Sequence, residues 1–349
     1  MKVESKLILA SKNAVTGVTL YTFVLTYPRV ILAEVNTHRM LSRNTASSRA
    51  IPSKKQRSRV INDPFVPISI GANQKGMQAG EELEGWRRTV AIQTWKLARY
   101  PMVLASWILD RVGAHKQVVN RIVEPWTWTQ QIVTCTDLRN VFKLRNHPDA
   151  EPHFHALAKL MQRQVEVAEQ AFRVHDLQRV DPLAPARRLY MNGQEGIDVL
   201  QVLQPGYHGA GDMDWHLPFI DHQDTYEAQA LVTKKAHEEL NWRTTQGRYG
   251  VDHTGETPLT VLDILKMVST ARCARVSYYL PENGKRSEVE RDMELCGRLS
   301  SSGHWSPFEH VATPTADDTY FGNFRSFKQY RKYFDGEHGG DRWWESHSA

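Results

Sequence analysis

The sequence predicts an α+β fold built around long helices, and three observations carry that prediction. Residues 18–28, VTLYTFVLTYP, alternate and are rich in β-branched and aromatic side chains, the pattern of a strand. Residues 151–173, EPHFHALAKLMQRQVEVAEQAFR, repeat their apolar positions at helical spacing. No Rossmann glycine fingerprint or P-loop accompanies them, so the usual doubly wound nucleotide folds are excluded.

The remaining elements follow in order. Pro28 suits the first turn of a helix with Thr26 as its cap, and RVILAEVNTHRM (29–40) continues as that helix before a loop. Residues 53–79 are polar, carry Pro64, Pro67, Gly71 and Gly76, and read as a long loop. A helical pattern runs from Gly80 to Gly113, with Pro101 set to break or kink it. HKQVVNRIVEP (115–125) reads as a short helix ended by Pro125, TQQIVTCT (129–136) as a strand, and DLRNVFKLR (137–145) as a helix. Residues 181–224 show little periodicity and read as a structured loop or lid. Helical patterns return at 225–242 and 258–271. ARCARVSYY (271–279) becomes strand-like at its end, and SEVERDMELCGRLSSSG (287–303) is a helix closed near Gly303. FRSFKQYRKYF (324–334) is a basic, aromatic helix candidate.

Composition narrows the class of protein. The 349 residues are long enough to bury a large core. Lys plus Arg number 44 against 39 Asp plus Glu, and this mild basic excess suits an anionic partner. No stretch is apolar enough to cross a bilayer, and the N-terminus lacks the apolar region of a secretory signal. Cys135, Cys273 and Cys296 form neither a disulfide framework nor a zinc pattern, which points to a reducing cytoplasm. The ten tryptophans read as packing residues.

Chemistry-bearing residues cluster in four places. THRMLSRNTASSR (37–49) sets Arg39 and Arg49 among Ser42, Asn44, Ser47 and Ser48, donors suited to phosphate oxygens; a solvated helix end is the plainer reading. The run Lys54, Lys55, Arg57 and Arg59 reads as a solvated loop or, less simply, a phosphate-facing one. GHWSPFEH (303–310) places Ser306 and Glu309 between His304 and His310, with Pro307 fixing a turn. His208, Asp212, Asp214, His216, Asp221 and His222 have metal-ligand chemistry, but their spacing fits no standard site, and no metal is expected.

THRMLSRNTASSR resembles the motif R-H-R-x-x-S-x-N-E-x-S-x-R of flavin-dependent thymidylate synthases. It keeps His38, Arg39, Ser42, Asn44, Ser47 and Arg49, and departs at Thr37 and Thr45. GHWSPFEH resembles that family's H-x-[ST]-P-F-E-H element, and ARCARVSYY the strand before it. HKQVVNRIVEP resembles its arginine-bearing segment, and DLRNVFKLR with the helix after it resembles its last helix pair. In the family the S-P-F-E-H element comes first; here it follows the arginine motif by about 260 residues. The chain therefore resembles a circularly permuted member of the long phage and bacterial type, matched over about half its length.

The resemblance implies a thymidylate synthase-like fold with an antiparallel sheet and long helices. It divides the chain into a first core part at 1–180, an inserted segment or lid at 181–253, and a second core part at 254–349. It implies a cytoplasmic homotetramer that binds FAD and transfers a one-carbon unit from methylenetetrahydrofolate to dUMP, with NADPH as reductant and dTMP as product. Nucleic acid and membrane are not expected partners. Glu34, Ser47, Ser48, Arg49, Arg121 and Arg145 fall at substrate-binding positions, with Arg145, Arg49 and Ser47 the catalytic candidates. His38, Arg39, Asn44, Asn140, Ser277, Ser306 and Glu309 fall at flavin-contact positions. Glu34 stands where the family has Gln, and Thr37 and Thr136 stand where it has flavin-side arginines. Arg325, Gln329 or Arg331 is the candidate replacement. Two alternatives remain: a hydroxymethylase or methylase of dUMP or dCMP serving modified phage DNA, and a basic nucleic-acid-binding protein without catalysis.

Overall fold

The computed structural model describes residues 2–13, 15–76, 78–177, 188–191, 199–203, 215–237, 259–280, 284–334 and 337. The chain opens with β1 (Glu4–Lys12) and β2 (Thr19–Pro28), an antiparallel hairpin. Its turn is made by Asn13, whose side-chain oxygen accepts from the Val15 and Thr16 amides, and by Gly17 at φ 71°, a conformation that disfavours any Cβ. A 3-10 turn at Arg29–Ile31 leads into α1 (Leu32–Asn36), and β3 (Ser42–Thr45) follows. Next come α2 (Ser53–Asn62), α3 (Gly85–Leu97), α4 (Arg99–Arg111), α5 (Lys116–Val119) and β4 (Trp128–Cys135). Helices α6 (Arg139–Arg145) and α7 (Pro152–Leu177) precede β5 (Arg188–Met191) and β6 (Val199–Leu203). The rest comprises α8 (His222–His237), α9 (Val261–Arg275), α10 (Val289–Ser301) and four short strands. These are β7 (Ala312–Pro314), β8 (Tyr320–Phe321), β9 (Phe324–Arg325) and β10 (Phe327–Gln329).

One antiparallel sheet of order β3-β4-β2-β1-β5-β6 organises the chain. Strand alternation sends Tyr21, Phe23, Leu25, Tyr27, Val133 and Cys135 to one face, where α7 packs through Phe154, Leu157, Met161 and Phe172. Each such fully buried side chain contributes about 1.5–3 kcal/mol. Ile132, Val24 and Ile8 point to the opposite face and meet Cys273, Val276 and Phe219. Beyond them α8, α9 and α10 share a second core with the turn at Phe308.

That second layer is pinned by a buried charge network. Arg272, fully buried, makes a two-pronged pair with Asp224 at 2.7 Å and donates through Nε to Asp292 at 2.9 Å and through a terminal nitrogen to the Phe219 carbonyl. Arg275 pairs with Asp292, and Arg286 with Asp221 and Asp224. Thr260 and Asp263 close the N-terminus of α9 with a reciprocal capping box.

The structure corrects several sequence readings. Residues 53–62 are helical, because Gln56, Arg57 and Val60 bury one flank and Arg57 reaches Asp110 of α4; one valine gave no apolar stripe to read. The helix expected across 29–40 stops at Asn36, and Ser42–Thr45 is the edge strand of the sheet. The interruption near Pro101 falls at Ala98, since a proline ring clashes with the carbonyl four residues earlier, here Leu97. Residues 271–275 belong to α9. Val276 then turns the chain at φ 58°, and the strand expected there is only a single bridge between Tyr279 and Arg286. The basic segment 324–334 is two short strands and a 3-10 turn, bent at Ser326 with φ 60°. Strand β1 had not been read from the sequence. Part of the segment 181–253 extends the sheet as β5 and β6; His208, Asp212 and Asp214 lie outside the described residues.

Candidate active site

The arginine motif lies along the exposed edge of the sheet, and strand alternation divides its side chains between the two faces. Ser42 and Asn44 face the second layer. The Asn44 amide donates to the Cys273 and Ala274 carbonyls, both at 3.0 Å, and its Oδ1 accepts from Ser306 Oγ at 3.2 Å. The C-terminus of α9, the S-P-F-E-H turn and the arginine motif therefore meet, although 262 residues separate Asn44 from Ser306. The left-handed turn at Val276 releases the helix beside them, and Ser277 Oγ accepts from the Tyr279 amide.

On the opposite face Arg145, at the end of α6, reaches back to α1. Its Nε donates to His38 Nε2 at 2.9 Å, one terminal nitrogen lies 3.4 Å from Glu34, and its guanidinium stacks 4.8 Å from the centre of the Phe154 ring. Because a guanidinium only donates, His38 Nε2 is unprotonated. Burial, then the charges of Arg145 and Arg43, hold His38 below its ordinary pKa, so it is neutral at pH 7. Arg43 caps three carbonyls, those of Val35, Asn36 and His38. Thr45, at the departure from the family motif, accepts from Gln131 Nε2 at 2.7 Å.

The turn after β3 is held from below. Ser48 donates to Glu124 at 2.8 Å, and Asn120 donates to the Ser48 and Ile51 carbonyls. Ser47 caps the turn by accepting from the Arg49 amide. The guanidinium groups of Arg49 and Arg121 are exposed, as are Arg39, Asn140 and Ser306. The edge of the sheet is rich in donors, with hydroxyls and exposed cations on a hydrogen-bonded frame. Such chemistry fits the phosphates of a nucleotide or a dinucleotide cofactor. Asn44, Ser277 and Ser306, gathered at the junction, are the residues that could hold such a cofactor.

The three candidates for the missing cation all reach this edge. Arg331 pairs with Glu309 and with Glu337. Gln329, buried, donates to Ser42 at 3.1 Å and to Asn323. The Arg325 amide donates to Thr136 Oγ1 at 2.9 Å while its guanidinium pairs with Asp318. Arg325 thus stands beside Thr136, one of the positions lacking the family's arginine, with its charge already engaged.

Beneath the edge runs a buried polar chain that the sequence reading missed. Ser11 and Thr22 bond the two ring nitrogens of His216 at 2.8 and 2.7 Å, Thr22 bonds Thr134, and Thr134 bonds His310 Nδ1 at 2.8 Å. His310 is pulled by burial down to about 3. His216 therefore ties strands rather than a metal, and Asp221 serves Arg286. Among the described residues no cluster of three metal-ligating side chains occurs, and no helix is long and apolar enough to cross a membrane. All three cysteines are buried, and burial raises their thiols far above the ordinary range.

No family profile and no curated sequence matches the chain. Among solved structures it is similar to a UMP/dUMP methylase, PolB from Streptomyces cacaoi with 5-Br UMP, at 13% identity and TM-score 0.39. That match covers 48% of this chain and 89% of that one. It is also similar to thymidylate synthase X from Helicobacter pylori with FAD and dUMP, at 16% identity and TM-score 0.28, covering 41% and 65%.

Proposed function

We propose that this chain is a flavin-dependent enzyme that transfers a one-carbon unit to C5 of a deoxypyrimidine monophosphate, in its simplest form converting dUMP to dTMP. The observation that carries the proposal is the junction at Asn44, where two motifs far apart in sequence share hydrogen bonds on one surface. In this reading Ser47, Arg49 and Arg121 hold the nucleotide phosphate. Arg145 faces the pyrimidine, where a guanidinium stabilises negative charge spreading onto the ring carbonyls as C5 becomes nucleophilic. Neutral His38 and Glu34 position Arg145. FAD, when bound, supplies the redox chemistry and draws its electrons from NADPH; methylenetetrahydrofolate supplies the carbon. No cysteine nucleophile is needed, which agrees with three buried, protonated thiols. Subunit pairing in a homotetramer would bring Arg121 of one protomer to the site of another. In this reading 1–180 and 254–349 are the two core parts, and the described strands and helix of 181–253 add to the sheet and to the second core rather than standing apart from them.

The test is to incubate the purified protein with FAD, NADPH, methylenetetrahydrofolate and either dUMP or dCMP, and to weigh the nucleotide by mass spectrometry. A methyl-bearing product from dUMP supports the proposal. A hydroxymethyl product, or one from dCMP alone, moves the chain to the modifying alternative. An unchanged nucleotide with a colourless protein refutes the flavin reading.

A further inference from the structure

Helices α3 and α4 have no part in the proposed reaction, and only Ala98 separates them, itself helical at φ −59° and ψ −18°. Of the described residues from 66 to 118, Ser106 alone is buried. One flank meets the body: Trp95 Nε1 donates to the Phe65 carbonyl at 2.8 Å, and Asp110 accepts from Arg57 at 2.7 Å. Trp95 stands two residues from both Gln93 and Leu97, about 200° around the helix axis from each, so these two face away from the body.

Two seven-residue series interleave on that outer flank: Trp86, Gln93, Tyr100 and Trp107, and Val90, Leu97, Leu104 and Arg111. All eight side chains are exposed, the apolar ones between 45% at Trp107 and 75% at Trp86. Alternating intervals of three and four residues are the spacing that packs one helix along another. With about 150–250 Å² for a fully exposed side chain of this kind, the six apolar members and Ile108 present roughly 800 Å² of surface. A monomer's largest apolar patch is about 300–600 Å², and a stable interface takes about 800 Å² from each partner.

We propose that this face is where two copies of the chain pair, with α3 and α4 of one lying antiparallel along α3 and α4 of the other. A second copy brings the same apolar series, so the surface is complementary to itself about a two-fold axis. Charge sets the direction. Asp110 is taken by Arg57 and Glu82 pairs with Arg88, which leaves Glu81, Glu84 and Arg87 at the start of α3 and Arg111 with Lys116 at the far end. Antiparallel pairing sets the net negative end against the positive one and brings Trp86 to Arg111 of the second copy, a cation–π pair. The axis then passes near Ala98, between Leu97 and Tyr100. Parallel pairing would set Arg111 against its own copy. A helix that lies on a membrane is fringed with Lys and Arg, whereas Glu81, Glu82 and Glu84 begin this one. The inference assigns a surface to the pairing of protomers, and it stands or falls without the proposed reaction.

Light scattering on the purified full chain reads the mass. The parent should assemble as an even number of copies. Leu97→Glu with Leu104→Glu should halve that mass and leave the far-UV circular dichroism unchanged, since both side chains are exposed in the single chain. Ile61→Glu, at an exposed apolar position of α2 outside the face, should leave the mass as it is. Cysteine crosslinking reads the direction, because the native cysteines are buried. Val90→Cys mixed with Trp107→Cys should give a covalent dimer on oxidation, and Val90→Cys alone should not. A monomeric parent, an unchanged mass in the Leu97 and Leu104 variant, a mass halved equally by Ile61→Glu, no crosslink in the mixture, or Val90→Cys crosslinking to itself overturns the proposal. So does a monomer that sediments with phosphatidylserine vesicles, which assigns the face to a membrane.

Discussion

Asn44→Asp changes one atom's identity at the junction of the two motifs, and its consequence can be worked from the structure. The native amide donates to two carbonyls at 3.0 Å. The carboxylate donates to neither and sets a negative charge against both oxygens. Two lost hydrogen bonds at about 0.5–1.5 kcal/mol each, with repulsion added and the half-exposed setting deducted, give roughly 2–3 kcal/mol. For a chain of 349 residues that is a fall in Tm of about 3–4 °C. Asn44→Ala loses the bonds without the repulsion and should fall between the two. Ser306→Ala removes only the exposed outer bond and should change stability by less than about 0.5 kcal/mol. Thermal unfolding followed by circular dichroism, together with flavin absorbance of the purified variants, reads both effects. A Tm for Asn44→Asp within about a degree of the parent would show that the junction does not hold the two motifs together.

Other perturbations follow from the same geometry. Arg145→Ala should lower kcat/KM for the nucleotide about 100- to 1000-fold with little change in Tm, and Arg145→Lys should recover only part, since an ammonium cannot serve His38 and the pyrimidine together; steady-state kinetics decides. Asp224→Ala leaves the fully buried Arg272 without its two-pronged partner and should cost about 3–5 kcal/mol in urea unfolding. His310 is pulled by burial from the ordinary 6.5 to about 3, so between those values the unfolded chain binds a proton that the folded chain does not. Its contribution is complete above about pH 6.5 and is lost as the pH falls towards 3, at up to about 1.4 kcal/mol per unit. His310→Asn should therefore flatten the stability profile by about 2 kcal/mol between pH 6.5 and 5, and a parallel profile would contradict this.

Much of the architecture is legible in the sequence because period and composition carry it. Strand β2 alternates in β-branched and aromatic residues, and α7 shows its apolar stripe. What was hidden lacked such a pattern. Ser42–Thr45 is a strand only because β4 offers it a register, and four polar residues announce nothing on their own. Helix α2 is held by Arg57 on Asp110 and a single valine. The segment at 324–334 looked helical by composition, yet the bend at Ser326 and pairing with β7 make it extended. The candidate motifs are legible in the sequence and their juxtaposition is not, since only the fold brings Ser306 to Asn44. The partners of His38 and the hydroxyl–imidazole chain at Thr22 and Thr134 arise from tertiary contacts between distant strands.

The most direct measurement is the visible absorbance of the purified protein after incubation with FAD and gel filtration, followed by titration with dUMP. The expected result is a yellow protein with about one flavin per chain whose spectrum shifts saturably with dUMP, and loss of that shift in the variant carrying Arg49→Gln and Arg145→Ala. A colourless protein that instead binds nucleic acid with steep salt dependence would contradict it.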